Sequence, residues 1–159
     1  MQVSSCYSVY MADYAYNKRA GFDFEILEKF EAGLSLLGTE VKSIRKGHMS
    51  LRGSFVTIHN REAFLTNATI PPWQISNAPA NYDPVRSRKL LLSASELKYL
   101  IGKVTTIGLT IVPIRVYNEG SVIKVEIGLA KGKKQYDKKE KQKERDIKRD
   151  AEIYIRGKE

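Results

Sequence analysis

Two apolar runs near the middle of the chain limit the fold most. Leu109 to Tyr117 is apolar and β-branched, and Asn118-Glu119-Gly120 turns the chain. In the run that follows, Ile123, Val125, Ile127 and Leu129 alternate with Lys124 and Glu126. Strand side chains change face at every residue, so a period of two predicts an antiparallel pair with one buried face and one wet face. Pro113 lies inside the first run and has no amide for a ladder, so that strand is expected at an edge or with a bulge.

The rest of the chain supplies further strands. Phe24, Ile26 and Phe30 recur at even spacing with Glu25, Lys29 and Glu31 between them, which predicts a half-buried strand ended by Gly33. In that reading Glu25 and Glu31 share one face and Glu28 takes the other. Phe55–Ile58 and Ala63–Leu65 flank Asn60-Arg61, a hairpin signal, and Lys89–Leu92 is a short apolar strand. Two helices are expected. From Leu36 to Gly47, Leu37, Val41 and Ile44 lie on one face, with Arg45 and Lys46 in the last turn and Gly47 suited to the C-terminal cap. Ser93 and Glu96 form a capping-box pair before the stripe of Leu97, Leu100 and Ile101, a helix closing near Gly102 or Gly108. Residues 71–88, with Pro71, Pro72, Pro79 and Pro84, form a long loop that carries Trp73.

About six short strands and two helices, with no βαβ rhythm and no glycine-rich phosphate loop, make a mainly β fold. The expectation is a small, partly open antiparallel barrel of the oligonucleotide-binding (OB) type with two or more appended helices. Residues 1–16 read as a loose Ser- and Tyr-rich extension, 17–130 as the barrel and 131–159 as a basic tail.

Charge points to the partner. Of 159 residues, 27 are Lys or Arg and 18 are Asp or Glu, a net +9, and residues 131–159 carry +5 of it. Such an excess gathers polyanions, so nucleic acid and anionic membrane are the leading partners, a merely soluble basic protein being the alternative. No apolar run approaches the roughly 18 residues that span a bilayer, and of the two partners we expect nucleic acid and no membrane. On the body, Asn17-Lys18-Arg19 and Arg86, Arg88 and Lys89 form basic clusters, and Arg45 adds a cation. From Lys131 to Asp146 the one large apolar side chain is Tyr136, so the tail is expected to be disordered when free. Its residues are nevertheless good helix formers. Like-charged pairs such as Lys141–Arg145 and Arg145–Arg149 weaken the isolated helix and are relieved when phosphates neutralise them. A solvated helix docked on the body and an inert solubilising tail are the alternatives.

Chemistry beyond binding has little support. One cysteine, Cys6, and two histidines, His48 and His59, do not make a four-ligand zinc site, and a lone cysteine suits a reducing cytosol. We expect no metal, cofactor, catalytic residue or small-molecule substrate. A general single-strand-binding barrel and a structure-specific nuclease using the carboxylates of the first strand are the competing classes.

Several strings carry a resemblance. They are Asn17-Lys18-Arg19-Ala20, Phe30-Glu31-Ala32-Gly33-Leu34, Gly38-Thr39-Glu40-Val41-Lys42-Ser43-Ile44-Arg45 and Asp83-Pro84-Val85-Arg86-Ser87-Arg88-Lys89-Leu90-Leu91-Leu92. The run Gly128 to Lys139 and the string Lys143-Glu144-Arg145-Asp146 complete the set. Together, over about residues 17–150, they resemble the SsrA-binding protein (small protein B) family. The resemblance implies a non-catalytic monomer that binds the tRNA-like domain of transfer-messenger RNA and delivers it to stalled ribosomes. There it would stand in for the missing anticodon arm at the small-subunit decoding site, its tail becoming helical in the mRNA channel. It implies RNA-binding roles for Asn17, Lys18, Glu31, Leu91 and Lys124. It places Lys131, Gly132, Lys133, Lys134, Tyr136, Asp137 and Lys138, followed by Lys139, in the decoding site. Tyr136, a lone aromatic among lysines, suits stacking on a ribosomal base. Phe22 and Phe24 stand where the family usually has His and Tyr, and Lys139 where it has Arg, which keeps charge but loses bidentate phosphate geometry.

Overall fold

The computed structural model describes residues 13–133 and 135–157, without the side chains of 135–138. Cys6, the first twelve residues, Lys134 and the side chains of Tyr136, Asp137 and Lys138 lie outside the described residues.

Among the described residues, seven strands and four α-helices follow one another as β1 (Asp13–Tyr16), α1 (Ala20–Asp23), β2 (Phe24–Leu34), α2 (Gly38–Arg45), β3 (Phe55–His59), β4 (Glu62–Thr66), β5 (Arg88–Leu91), α3 (Ala94–Ile107), β6 (Thr110–Glu119), β7 (Val122–Gly132) and α4 (Gln135–Arg156). The strands form one sheet in the order β1-β6-β3-β4-β5-β2-β7, and a further β6–β7 pairing links six of them in a ring. All pairings are antiparallel.

Two expected elements have different limits. Residues 13–16, read as part of a loose extension, pair with β6, and β7 runs past Ala130 to Gly132. The tail, expected to be disordered when free and helical on the ribosome, forms the helix α4 here. It has neither Pro nor Gly, which permits a continuous helix. Its described side chains are exposed, including Ile147, Ile153, Tyr154 and Ile155. Tertiary burial thus adds little to it.

Bulges direct the core. β6 has a register shift between Pro113 and Arg115, as the missing proline amide predicts. Ile111 and Val116, of opposite parity, consequently both enter the main core, while Val112 joins a second cluster with Ala20 and Ala130. A second shift, between Ile26 and Glu28 in β2, has no proline to announce it. It moves Phe24 and Ile26 to the second cluster and Phe30 and Ala32 to the first, although all four have the same parity. α1 rests on the second cluster through Ala20.

The predicted turns and caps form for the reasons the residues give. Asn60 and Arg61 both take positive φ, 50° and 60°, as a two-residue hairpin turn requires. The Ser93 side chain accepts from the Glu96 amide, and Glu96 reaches back to the Ser93 amide, starting α3, which ends at Gly108 with φ 70°. Leu100 of α3 is fully buried, and the Tyr99 hydroxyl donates to Glu28 (2.7 Å).

Candidate nucleic-acid interface

The loop before β5 is held by one buried carboxylate. Glu40 is the third residue of α2 and its Oε2 accepts from the Leu37 amide (2.9 Å), capping the helix. The same carboxylate accepts from Arg86 (2.9 and 2.6 Å), from Arg88 Nε (2.9 Å) and from the Tyr82 hydroxyl (3.1 Å). Arg88 also donates to the carbonyls of Ala68 (2.8 Å), Arg86 (3.0 Å) and Pro84 (3.0 Å). Burial pushes the Glu40 carboxyl up, but Arg86, the Leu37 amide and Arg88 outweigh it and hold it below its usual range.

The basic cluster expected at 86–89 is therefore dismantled. Arg88 is fully buried and offers nothing to a phosphate. It shares the inward parity of Leu90 on β5, so its guanidinium needed an internal partner. Arg86 is half-buried and committed to Glu40, and Lys89 points outward but pairs with Glu62 (2.5 Å).

A different assembly appears across the outer face of β5, β2, β7 and β6. Gly33 lies opposite both Leu91 and Lys124, and Lys124 lies opposite Tyr117. Directly paired residues point to the same side, so Leu91, Lys124 and Tyr117 form one row across four strands. Gly33 makes the row possible: a Cβ there would meet the Leu91 Cβ at 3.3 Å. The next row holds Glu31, Glu126 and Arg115. Glu31 and Glu126, like charges directly opposite, would destabilise the pair. Arg115 (3.1 Å) and Lys29 (3.9 Å) neutralise Glu126, and the Glu31 carboxylate is exposed.

The face also has an internal order. Arg115 lies over the Tyr117 ring, 4.6 Å from its centroid, and bonds Asp13 (2.9 Å). Burial and then Glu31 push the Tyr117 hydroxyl well above the usual phenol range. Lys124 is ion-paired with Glu119, which raises its affinity for its proton. Leu91 is 56% exposed, so it is a surface residue rather than core. Glu31, Leu91 and Lys124 thus come together, although 60 positions separate the first two. Arg115 and Lys29 complete this face, with Tyr117 fully buried beneath Arg115, and all three were missed, because no local string marks them.

The turn at 17–19 is a separate place. Asn17 is buried, and its amide nitrogen and side chain donate to Ile114 O (2.7 Å) and Pro113 O (3.0 Å), carbonyls at the β6 bulge. Its role within the fold is to fix the turn that projects exposed Lys18 and Arg19. Those cations line an open cleft of about 300 Å³ with Tyr16 and Arg52, two residues the sequence reading did not include. Arg45 is exposed and donates to Ser121 O (3.1 Å) in the β6–β7 turn.

At the other end of β7, Lys131 and Gly132 pair with Glu25 and Phe24. Lys133 donates from its amide to Asp23 O (3.0 Å) and from its ammonium to Gly21 O (2.7 Å). Lys139 is exposed on α4. The carboxylates of β2 are also rearranged. The bulge leaves Glu25 and Glu28 beside one hollow with Lys103 and Lys131, and Glu31 on the other face, the reverse of the expected grouping.

Comparison with known proteins now bears on this arrangement. The family model described as SmpB protein matches residues 14–157. The chain belongs to the SmpB family. The SsrA-binding protein of Gloeobacter violaceus is 50% identical over 140 residues, covering 88% of this chain and 91% of that protein. That of Acaryochloris marina is 52% identical over 136 residues, covering 86% and 88%. A chain of a solved assembly described as "tmRNA-SmpB: a journey to the center of the bacterial ribosome" superposes with a TM-score of 0.62 at 48% identity, over 79% of this chain and 85% of that one. The SmpB match begins at the second residue of β1 and runs through the whole of α4, so it takes in both the sheet face and the helical tail.

Proposed function

We propose that this chain is an RNA-binding adaptor of trans-translation that delivers transfer-messenger RNA to stalled ribosomes and carries out no catalysis itself. SmpB membership over nearly the whole chain supports this reading. The single observation that carries its geometry is the gathering of Glu31, Leu91 and Lys124 on one outer sheet face. A lysine, a carboxylate acceptor and an exposed apolar group side by side suit folded RNA, which offers phosphates, amino groups and base faces together.

In this reading the strand ring is an OB-type barrel that works as a rigid platform. The RNA it holds is the tRNA-like domain, gripped through Lys18, Arg19, Glu31, Leu91 and Lys124, with Asn17 positioning the first two. Arg45 and Lys89 contribute charge at the margin. The protein occupies the place of an anticodon arm in the small-subunit decoding site, where Lys131 to Lys139, Tyr136 included, meet ribosomal RNA. α4 enters the mRNA channel. Its like-charged i, i+4 pairs make the helix weak alone and stronger among phosphates, so its helicity rises on the ribosome. The protein acts as a monomer in the cytoplasm. The bulge that divides Glu25 and Glu28 from Glu31 speaks against a three-carboxylate metal nuclease on β2.

The experiment is peptide tagging on ribosomes stalled at the end of a truncated mRNA, with the full chain and with a chain ended after Lys133. The full chain should support tagging. The shortened one should bind transfer-messenger RNA with similar affinity yet fail to tag. Loss of RNA binding together with the tail, or tagging without the tail, contradicts the division of labour.

A further inference from the structure

The outer face of the β3–β4 hairpin carries aromatic rings that the core does not use. Val56, Ala63 and Leu65 point inward and fill the core. Phe55, Thr57, Phe64 and Thr66 point the other way, into an open hollow of about 500 Å³. Phe55 is opposite Thr66 and Thr57 is opposite Phe64, so rings and hydroxyls occupy the two diagonals of one square. The Thr57 and Thr66 hydroxyls bond each other (3.0 Å), and the two rings stand on either side of that pair. One hydroxyl hydrogen is used between the threonines, which leaves the other O–H and free lone pairs for an outside group. Phe55 is 41% exposed and Phe64 is half-buried.

Charge borders the hollow. Lys89 lies opposite Phe64 on β5 and holds the Glu62 carboxylate at 2.5 Å. Arg61 is exposed at the hairpin turn. A single strand of RNA asks for π faces under its bases, hydroxyls at base edges or ribose, and cations along its phosphates. An apolar protein segment would cover the hydroxyl pair without bonding it, which costs free energy. In the ring of six strands β3 lies across from β2, and β4 from β7. The hollow therefore opens on the side away from Glu31 and Lys124.

We propose that Phe55 and Phe64 each stack one unpaired base of single-stranded RNA, with the threonine pair bonding a base edge or ribose hydroxyl between them. The chain then holds folded RNA on one side of the ring and an unpaired strand on the other. Neither the tail nor the Lys124 face takes part, so the test needs neither ribosome nor transfer-messenger RNA.

The test is an aromatic carbon–proton NMR titration of the full chain with a single-stranded RNA tetranucleotide, beside an abasic tetramer of the same sugar–phosphate backbone. The expected result is saturable shifts of the Phe55 and Phe64 ring signals with the tetranucleotide and none with the abasic strand. Phe55→Ala should weaken saturation at Phe64 about tenfold, within the range of one stacked base. Phe55→Tyr keeps the π face and should keep the parent affinity. Phe64→Leu, which retains an apolar side chain on the hairpin, should weaken saturation at Phe55 in the same way. Lys124→Glu should change nothing at either ring. Rings that do not shift overturn the proposal and leave the hollow to a protein partner. Equal shifts with the abasic strand overturn it in favour of plain charge attraction, and full affinity in Phe55→Ala overturns it outright. Ring shifts lost in Lys124→Glu overturn the separation of the two faces.

Discussion

Replacing Arg88 with methionine keeps a long unbranched side chain and deletes the guanidinium that joins α2 to the loop before β5. In the parent chain Arg88 is fully buried, pairs with Glu40 at 2.9 Å and satisfies the carbonyls of Ala68, Pro84 and Arg86. Removing one member of a buried pair costs about 3–5 kcal/mol, because the other charge and its acceptors are left behind. Arg86 still bonds Glu40 twice, so we expect the lower end, about 3 kcal/mol. Against a usual stability of about 5–15 kcal/mol this is a large fraction. At roughly 2–4 °C per kcal/mol for a chain of this size, Tm should fall by about 6–12 °C. The assay is urea unfolding at pH 7, followed by far-UV circular dichroism and by fluorescence of Trp73, the one tryptophan, which lies in the fastened loop. In the variant the fluorescence change should come at lower urea than the loss of secondary structure. Coincident probes and a stability within about 1 kcal/mol of the parent would refute the reasoning.

Other outcomes follow from particular contacts. Because Glu40 is held below the usual carboxylate range in the folded chain, its stabilisation is fully present above that range and is lost as pH falls through the lower folded one. Tm measured from pH 7 down to 3 should therefore drop less steeply in Glu40→Gln, from a lower start; identical slopes contradict it. Gly128→Ala places a Cβ 3.0 Å from both Ile114 Cδ1 and Ile26 Cγ2, and urea unfolding should reveal a loss of about 1–2 kcal/mol. Tyr136→Ala should leave binding to transfer-messenger RNA intact but impair tagging on stalled ribosomes, and normal tagging would sink the stacking role.

The fold was legible where local chemistry speaks for itself. The alternation from Ile123 to Leu129, the Ser93–Glu96 cap, the Asn60-Arg61 turn and the bulge forced by Pro113 all follow from near neighbours. The bulge after Ile26 was not legible, since no residue type requires it, and it reversed the grouping of three carboxylates. The candidate site divided in the same way. Lys124 and Glu31 could be nominated singly, but their meeting with Leu91 depends on strand order, which no short string encodes. Arg88 misled because charge suggests a surface. Its alternation with Lys89, inward with Leu90, was the available signal, and its partner Glu40 lies 48 positions away. The helical tail was half visible: its residues favour a helix, while the placing of Arg145 over Phe22 is tertiary.

The most direct test of the RNA-binding face is the affinity of Lys124→Glu for the isolated tRNA-like domain of transfer-messenger RNA, measured across a salt series beside the parent and an unstructured RNA of equal length. We predict that the parent prefers the folded RNA at every salt concentration. The variant should bind that RNA at least about tenfold more weakly, the size of one lost charge-assisted contact, while remaining folded. A parent that binds both RNAs alike, or a variant that keeps full affinity for the folded one, would contradict the assignment of this sheet face.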